Sequence, residues 1–503
     1  MKQSPGFFAK FEANRLTIII TQFCVQVELG LRQLLVDPIF QIVSVLVVGF
    51  SLFFRLQEMN KGTQIQVWLW FPCIVFFALL SPWLVSLLGR RLQKAASAVQ
   101  DINLALATVV GGAVRAPEEV QAMRAEPFFK RMHGEYLQRA LQSRLNQTTI
   151  VERLNVLNQT PGVIVVAALI GVGVLLAISG GKADPGTLVA VALITPSFMG
   201  AIQGLSAFTI NLSMAWPSIN LIDSILEQKP EIVVSDRTRE VESLQPALEV
   251  RNLVFSFGSN GARKILDGVS FAVPEGKVCG LIAKMGQGKT TLFRLALRFY
   301  DPQEGQILAG GIPTTAMSVS SVRHHFVLMA QFPAFFHDTV RENFRIAESK
   351  ASDEQIKELC ERTKLWPLLV KSYGQDPLNA PFLAGEALSG GQRKLFALTR
   401  SLLRNPTFLL LDEPTTGMDP KDKYPLIPIM RQACAGKTAL VVDHDIVWQS
   451  RFCDYFVVLD EGKIVAEGTA HQLIAERGLF RDLYRESCQC MELAERAPSV
   501  RGA

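Results

Sequence analysis

Four long stretches without a single charged residue constrain this chain more than anything else in it. They run from Pro38 to Phe54, from Thr63 to Gly89, from Leu154 to Gly181 and from Pro185 to Ile222, all in the first half. A bilayer core about 30 Å thick needs about 20 helical residues at about 1.5 Å each. The last three stretches meet that length outright and the first meets it by extension at both ends. A buried core helix of a soluble protein rarely runs so far without a charge. Four membrane spans are therefore expected, at 36–56, 64–88, 161–181 and 187–213. Trp68, Trp70 and Trp83 lie near the ends of the second, where interfacial anchors belong.

Composition agrees. Charged residues make up 19% of the chain, against about 25% in soluble domains, so a disordered or solvating chain is excluded. The net charge of +5 comes with no Lys/Arg-dense arm, and no nucleic-acid partner is called for. Eight Cys over 503 residues are no disulfide framework, and Cys488 with Cys490 alone is a poor zinc site; reduced cytosolic thiols are expected. Lys10, Glu12, Arg15 and Glu28 interrupt the first residues, which therefore do not read as a signal peptide.

Arg90, Arg91 and Lys94 follow the second span and open a long polar segment to Arg153. The excess of positive charge puts that segment in the cytosol, and four spans then return both termini there. The expected layout is a helical membrane domain over 1–227, a linker over 228–246 containing Pro230 and Pro246, a soluble α/β domain over 247–487 and a flexible tail over 488–503. Leu248–Phe257 alternates as an edge-type strand. Lys277–Ala283, Phe408–Leu411 and Thr438–Val442 are short apolar runs, as buried parallel strands are. Tyr455–Leu459 and Lys463–Glu467 flank Asp460-Glu461-Gly462, a hairpin signal. His324 and His325 read as surface residues.

The chemistry begins after the second of these strands. Ala283-Lys284-Met285-Gly286-Gln287-Gly288-Lys289-Thr290-Thr291 leads into an apolar helix. A strand, a glycine-rich turn and a helix N-terminus make a phosphate cradle: backbone N–H groups point at the anion, Lys289 reaches the β/γ-phosphates and the Thr290 hydroxyl can bind Mg²⁺. The pattern wants glycine at Ala283. Alanine costs little there if φ is negative and about 1 kcal/mol or more if it is positive.

Further on come Leu388-Ser389-Gly390-Gly391-Gln392-Arg393, then Phe408-Leu409-Leu410-Leu411-Asp412-Glu413-Pro414, then Gly417-Met418-Asp419, and His444 at the end of the next strand. From about Ala247 to Ser487 the sequence resembles the ATP-binding domain of ABC transporters, with that family's motifs in order. The resemblance implies an α/β P-loop domain with ATP and Mg²⁺ as ligands. Phe257 would stack on adenine, though a core phenylalanine is the alternative. Ala283, Gly286, Gln287, Gly288, Lys289, Thr290 and Thr291 would hold the phosphates. Gln331 would touch Mg²⁺ and the attacking water, and Ser389, Gly390, Gly391 and Gln392, with Asp419, would serve ATP across a dimer. Asp412 would join Thr290 and Gln331 at Mg²⁺. Strand alternation would turn Glu413 to the other face as general base, and His444 would hold the water. A metal cluster at Asp443-His444-Asp445 is disfavoured by its distance from other His or Cys. Asp443 itself departs from the pattern, since exporters usually have a small residue there.

A membrane domain preceding the ATPase on one chain is the exporter arrangement. Arg32 to Pro38, Gly89 to Leu92 and Ala116 to Phe129 resemble, respectively, the approach to the third exporter helix, the cytosolic end of the fourth and the turn before the fifth. The resemblance then implies a half-transporter lacking its first two helices, as a truncated reading or with a separate polypeptide supplying them. The expected function is ATP-driven export of an unidentified substrate by a homodimer, or alternatively a heterodimer, in the bacterial inner membrane, surrounded by lipid. An ATPase switch that transports nothing and an inactive fragment are the alternatives.

Overall fold

A computed structural model describes residues 19, 21, 37–60, 70–178, 185–227, 232, 238–257, 263–383 and 385–496. The chain divides into two compact units between Lys229 and Pro230.

The first unit is all helical. Its helices are α1 (Asp37–Asn60), α2 (Trp70–Arg115), α3 (Pro117–Ala122), α4 (Glu126–Ile178) and α5 (Pro185–Leu226). Each of the four charge-free stretches lies largely on one of the four long helices, and the start of the second, at 63–69, lies outside the described residues. Among the described residues, Leu87–Val114 and Leu193–Leu226 are long and apolar enough to cross a membrane, and Ile39–Phe54 is a shorter apolar stretch. Arg90 to Arg153, expected as projecting helices, is the second half of α2, the short α3 and the first half of α4. Leu92 of α2, Leu154 of α4 and Ile210 of α5 meet in one buried cluster. The contact between α1 and α5 depends on a small residue: a Cβ at Gly49 would sit 2.9 Å from the buried Phe198 ring. Asn158 of α4 donates to the Gln203 carbonyl of α5 at 3.2 Å, joining the two helices.

The second unit carries, among the described residues, two large sheets and a two-stranded pairing of Asp338–Thr339 with Pro381–Phe382. The strands of the two large sheets are β1 (Leu248–Phe255), β2 (Leu266–Val273), β3 (Val278–Ile282), β4 (Glu304–Ala309), β5 (Ile312–Pro313), β6 (Phe326–Met329), β7 (Phe408–Asp412), β8 (Thr438–Val442), β9 (Tyr455–Asp460) and β10 (Lys463–Gly468). An antiparallel sheet has the order β2-β1-β4-β5, and the other has the order β10-β9-β3-β8-β7-β6. In the latter every neighbouring pair is parallel except β9 with the hairpin strand β10. All five residues of β3, of β7 and of β8 are buried, as continuous apolar runs in a two-sided parallel sheet must be. The helices needed below are α6 (Lys289–Ala296), α7 (Gly390–Leu403), α8 (Ile446–Phe452) and α9 (Leu479–Arg496).

Four expectations are corrected. β1 is paired on both sides rather than lying at an edge; its alternation reports one exposed face, which an interior antiparallel strand also has. The stretch expected as a flexible tail from residue 488 is helical to Arg496, as part of α9. The expected linker ends in an ordered strip: Arg239 bridges Met317, and the Val241 amide donates to Ser321 Oγ at 3.0 Å. His325 is buried at 4% exposure, because its ring bridges the Thr407 hydroxyl at 3.0 Å and the Val241 carbonyl at 2.9 Å.

Candidate functional site

The C-terminal ends of β3, β7 and β8 converge on one place. The turn after β3 enters α6 through Gly288, whose φ of +91° is a left-handed value, and Gly286 has φ +77°. A Cβ at Gly288 would also approach Ile265 to 2.8 Å. Glycine is required there for both reasons. Ala283 is not among the residues of positive φ and is packed in the core, so alanine is tolerated where the pattern prefers glycine. Its carbonyl accepts from Lys289 Nζ at 2.7 Å. Burial pulls the Lys289 ammonium below its usual range, opposed by Glu413, Asp412 and Asp443. The Gln287 side chain faces away from the turn: Nε2 donates to Asp460 Oδ1 at 3.0 Å, and Oε1 accepts from the Glu461 amide at 2.5 Å. The tip of the β9–β10 hairpin thus braces the phosphate loop.

Asp412 is the last residue of β7 and is 7% exposed. Burial, then the neighbouring Glu413, raises its carboxyl above the usual range, with Lys289, Lys394 and Arg294 opposing. Glu413 is separated from it by a turn, not by strand alternation, since its φ is +49°. For a non-glycine residue this conformation costs roughly 1–2 kcal/mol. The surroundings hold it: its amide donates to Val442 of β8 at 2.7 Å, and its carbonyl accepts from Lys394 Nζ at 2.5 Å. The carboxylate accepts from Gln331 Nε2 at 2.5 Å and from Thr416 Oγ1 at 3.0 Å, and it lies 2.8 Å from His444 Nε2. Gln331, Glu413 and His444, distant in the sequence, therefore form one cluster.

Asp443 has a structural task. Oδ2 accepts from the Thr415 amide at 3.0 Å and from its hydroxyl at 2.8 Å, while Oδ1 accepts from the Asp445 amide at 3.0 Å. It pins the turn after Glu413 to the turn before α8, which a small residue could not do. Among the described residues no group of His, Cys, Asp and Glu forms a metal cluster.

The Leu388–Arg393 motif lies apart from these contacts. Ser389 caps α7: its hydroxyl accepts from the Gln392 amide at 3.3 Å, and Gln392 Oε1 accepts from the Ser389 amide at 3.0 Å. The Gln392 side chain is thus engaged in its own helix cap. Ser389 and Gly390 are exposed, and a Cβ at Gly391 would reach Met418 at 3.4 Å. Asp419 caps the following turn through the Lys421 amide at 2.9 Å. Phe257 is 40% exposed and packs edge-on against Phe255 at 5.0 Å and Tyr300 at 5.3 Å, so the core supports its ring while one side faces solvent.

Comparison with known proteins shows what this chain is similar to. Residues 266–416 match the family model described as ABC transporter. That match covers the phosphate turn, Gln331, the Leu388–Arg393 motif and Glu413. Over 432 residues the chain is 29% identical to the ATP-dependent lipid A-core flippase of Bordetella avium, covering 83% of the chain and 70% of the relative. Over 304 residues it is 30% identical to the glutathione/L-cysteine transport system ATP-binding/permease protein CydC of Escherichia coli, covering 60% of the chain. It spans only about half of that relative's length, 52%. Among solved structures, a bacterial Atm1-family ABC exporter with ATP bound superposes with a TM-score of 0.86 at 19% identity, over 96% of this chain and 83% of that one. The fold is thus the exporter fold, an integral-membrane helical region followed by an ATP-binding domain.

Sequence reasoning missed Lys394 and the Gln287 brace. Lys394 shares a helix face with Leu398 and Leu402, four and eight residues on, which marks it as inward-facing. The Gln287 partners lie 173 and 174 residues away and leave no local signal.

Proposed function

We propose that the chain hydrolyses ATP to export a substrate, as one subunit of a dimer with two composite sites. The observation that carries this reading is the Glu413 carboxylate, held in a strained turn between Gln331 and His444. Phosphoryl transfer asks mainly for positioning and charge stabilisation. Lys289 would neutralise the β/γ-phosphates, Glu413 would take the proton of the attacking water, and Gln331 and His444 would hold that water in line. The exposed Ser389 and Gly390 would meet the γ-phosphate bound by the partner subunit, and Asp419 would line the same interface.

Thr290, Gln331 and Asp412 offer only oxygen donors, which suit Mg²⁺. When bound, that ion offsets phosphate charge. The four charge-free stretches would span the bacterial inner membrane, with the ATP-binding domain and both termini cytosolic. A homodimer is sufficient, because the chain carries both halves of a composite site.

The test is Glu413→Gln in the purified full chain. Turnover is expected to fall by about 10²–10⁴-fold while ATP still binds, because the amide keeps the shape and loses the proton acceptor. Unchanged turnover would overturn the assignment. ATP-dependent uptake into inverted vesicles, absent in the same variant, separates an exporter from a switch that transports nothing.

A further inference from the structure

We propose that Lys394 is a positioning residue for Glu413: its buried ammonium holds the Glu413 carbonyl and so fixes the left-handed turn that presents the carboxylate to Gln331 and His444. The proposal rests on Glu413 acting as the base of ATP hydrolysis.

Both polar groups of the Glu413 backbone are tied. Its amide donates to Val442 of β8 at 2.7 Å, and its carbonyl accepts from Lys394 Nζ of α7 at 2.5 Å. With φ at +49°, the residue sits where L-amino acids rarely rest. Such a conformation persists only where the surroundings over-determine it. Removing one tie frees the peptide after Glu413 to rotate toward a relaxed conformation, and the side chain would turn with it. The carboxylate would then leave its 2.5 Å contact with Gln331 and its 2.8 Å contact with His444.

Lysine is an expensive choice for this place, since it is 8% exposed and a buried ammonium needs both hydrogen bonds and charge partners. Burial depresses it, and Asp443, Glu413 and Asp412 oppose that in this order. Asp443, itself 6% exposed, is the first of these carboxylates. It holds the same turn from the other end, through Thr415. Lys394 and Asp443 thus bracket residues 413–415 with opposite charges. Lys289 and Arg294 are the other cations facing these carboxylates.

The experiment is steady-state ATP hydrolysis by the full chain in lipid nanodiscs. It compares wild type with Lys394→Met, Lys394→Gln and the double variant Lys394→Met/Asp443→Asn, with Glu413→Gln as control. Lys394→Met is expected to lower kcat by about 10- to 100-fold while leaving KM for ATP nearly unchanged. Lys394→Gln, whose amide still donates to the carbonyl, should recover most of that loss. The double variant removes the unpaired buried carboxylate; it should melt close to wild type and still turn over slowly. That split between folding and kcat is what a merely structural lysine would not produce. Wild-type kcat in Lys394→Met or in the double variant overturns the proposal, as does equal impairment of the Met and Gln variants. If Glu413→Gln abolishes turnover while Lys394→Met leaves it intact, only this inference fails. If wild type does not turn over, or turns over regardless of Glu413, the reading of the site fails and this proposal with it.

Discussion

The two units place their side chains in opposite ways. In the ATP-binding unit the large apolar residues are inside: Phe293, Phe344, Phe396 and Trp448 have no exposed surface, and the strands between them are buried throughout. In the helical unit large apolar residues face out, with Phe40 70% exposed, Leu46 66% and Leu193 70%, while Thr195 and Ser206 are fully buried. Water explains the first arrangement, since burying apolar area is the dominant favourable term there. Lipid explains the second. Its tails are as apolar as leucine, so helices gain by packing small and weakly polar residues against one another. Gly49 against Phe198 is one such contact. Exposure therefore carries opposite meanings in the two halves of one chain.

The largest expected effect lies in the half built for water. Lys289→Ala removes the half-buried ammonium that closes the phosphate turn and should abolish measurable hydrolysis and weaken ATP binding, read by turnover and by nucleotide titration. Near-normal turnover would mean that the turn after β3 is only a tight connection.

The next effect tests the comparison itself. Leu46→Arg and Val465→Arg place the same charge at two residues of similar exposure, 66% and 56%. In the helical unit the charge should cost about 2.5–3.5 kcal/mol of insertion, seen as lost protein in the membrane fraction. On β10 it should change stability by no more than about 0.5 kcal/mol, seen as an unchanged melting temperature. Equal effects would remove the distinction between the two surfaces.

The smallest effect concerns Ala283. Ala283→Gly restores the residue that the phosphate-turn pattern prefers, yet should lower stability by about 0.5–1 kcal/mol and leave ATP affinity alone. A gain in affinity would show that the backbone there wants glycine after all.

How much of this was legible in the sequence follows the range of the interactions involved. The buried strands, the phosphate turn and α7 are local: an apolar run, a glycine before Lys289, a serine cap three residues from Gln392. Each is written within a few positions. The separation of Asp412 from Glu413 was expected from strand alternation, but Glu413 leaves the strand because a backbone bond from Val442 and an ammonium from Lys394 hold it elsewhere. His325 was read as a surface residue because its partners, Thr407 and Val241, lie 82 and 84 positions away. Long-range polar contacts have no period to detect.

The bond from Gln287 to Asp460 also sets a schedule. The two residues are 173 positions apart. At about 5–20 residues per second, synthesis takes roughly 10–35 s to travel between them. During that interval a nascent chain has its glycine turn but not the hairpin that steadies it. The braced form of the turn is thus a late event in the life of each molecule, coming after the helices of the first unit have been made. A chain stalled before residue 460 lacks that brace and should hold ATP less tightly than the full chain.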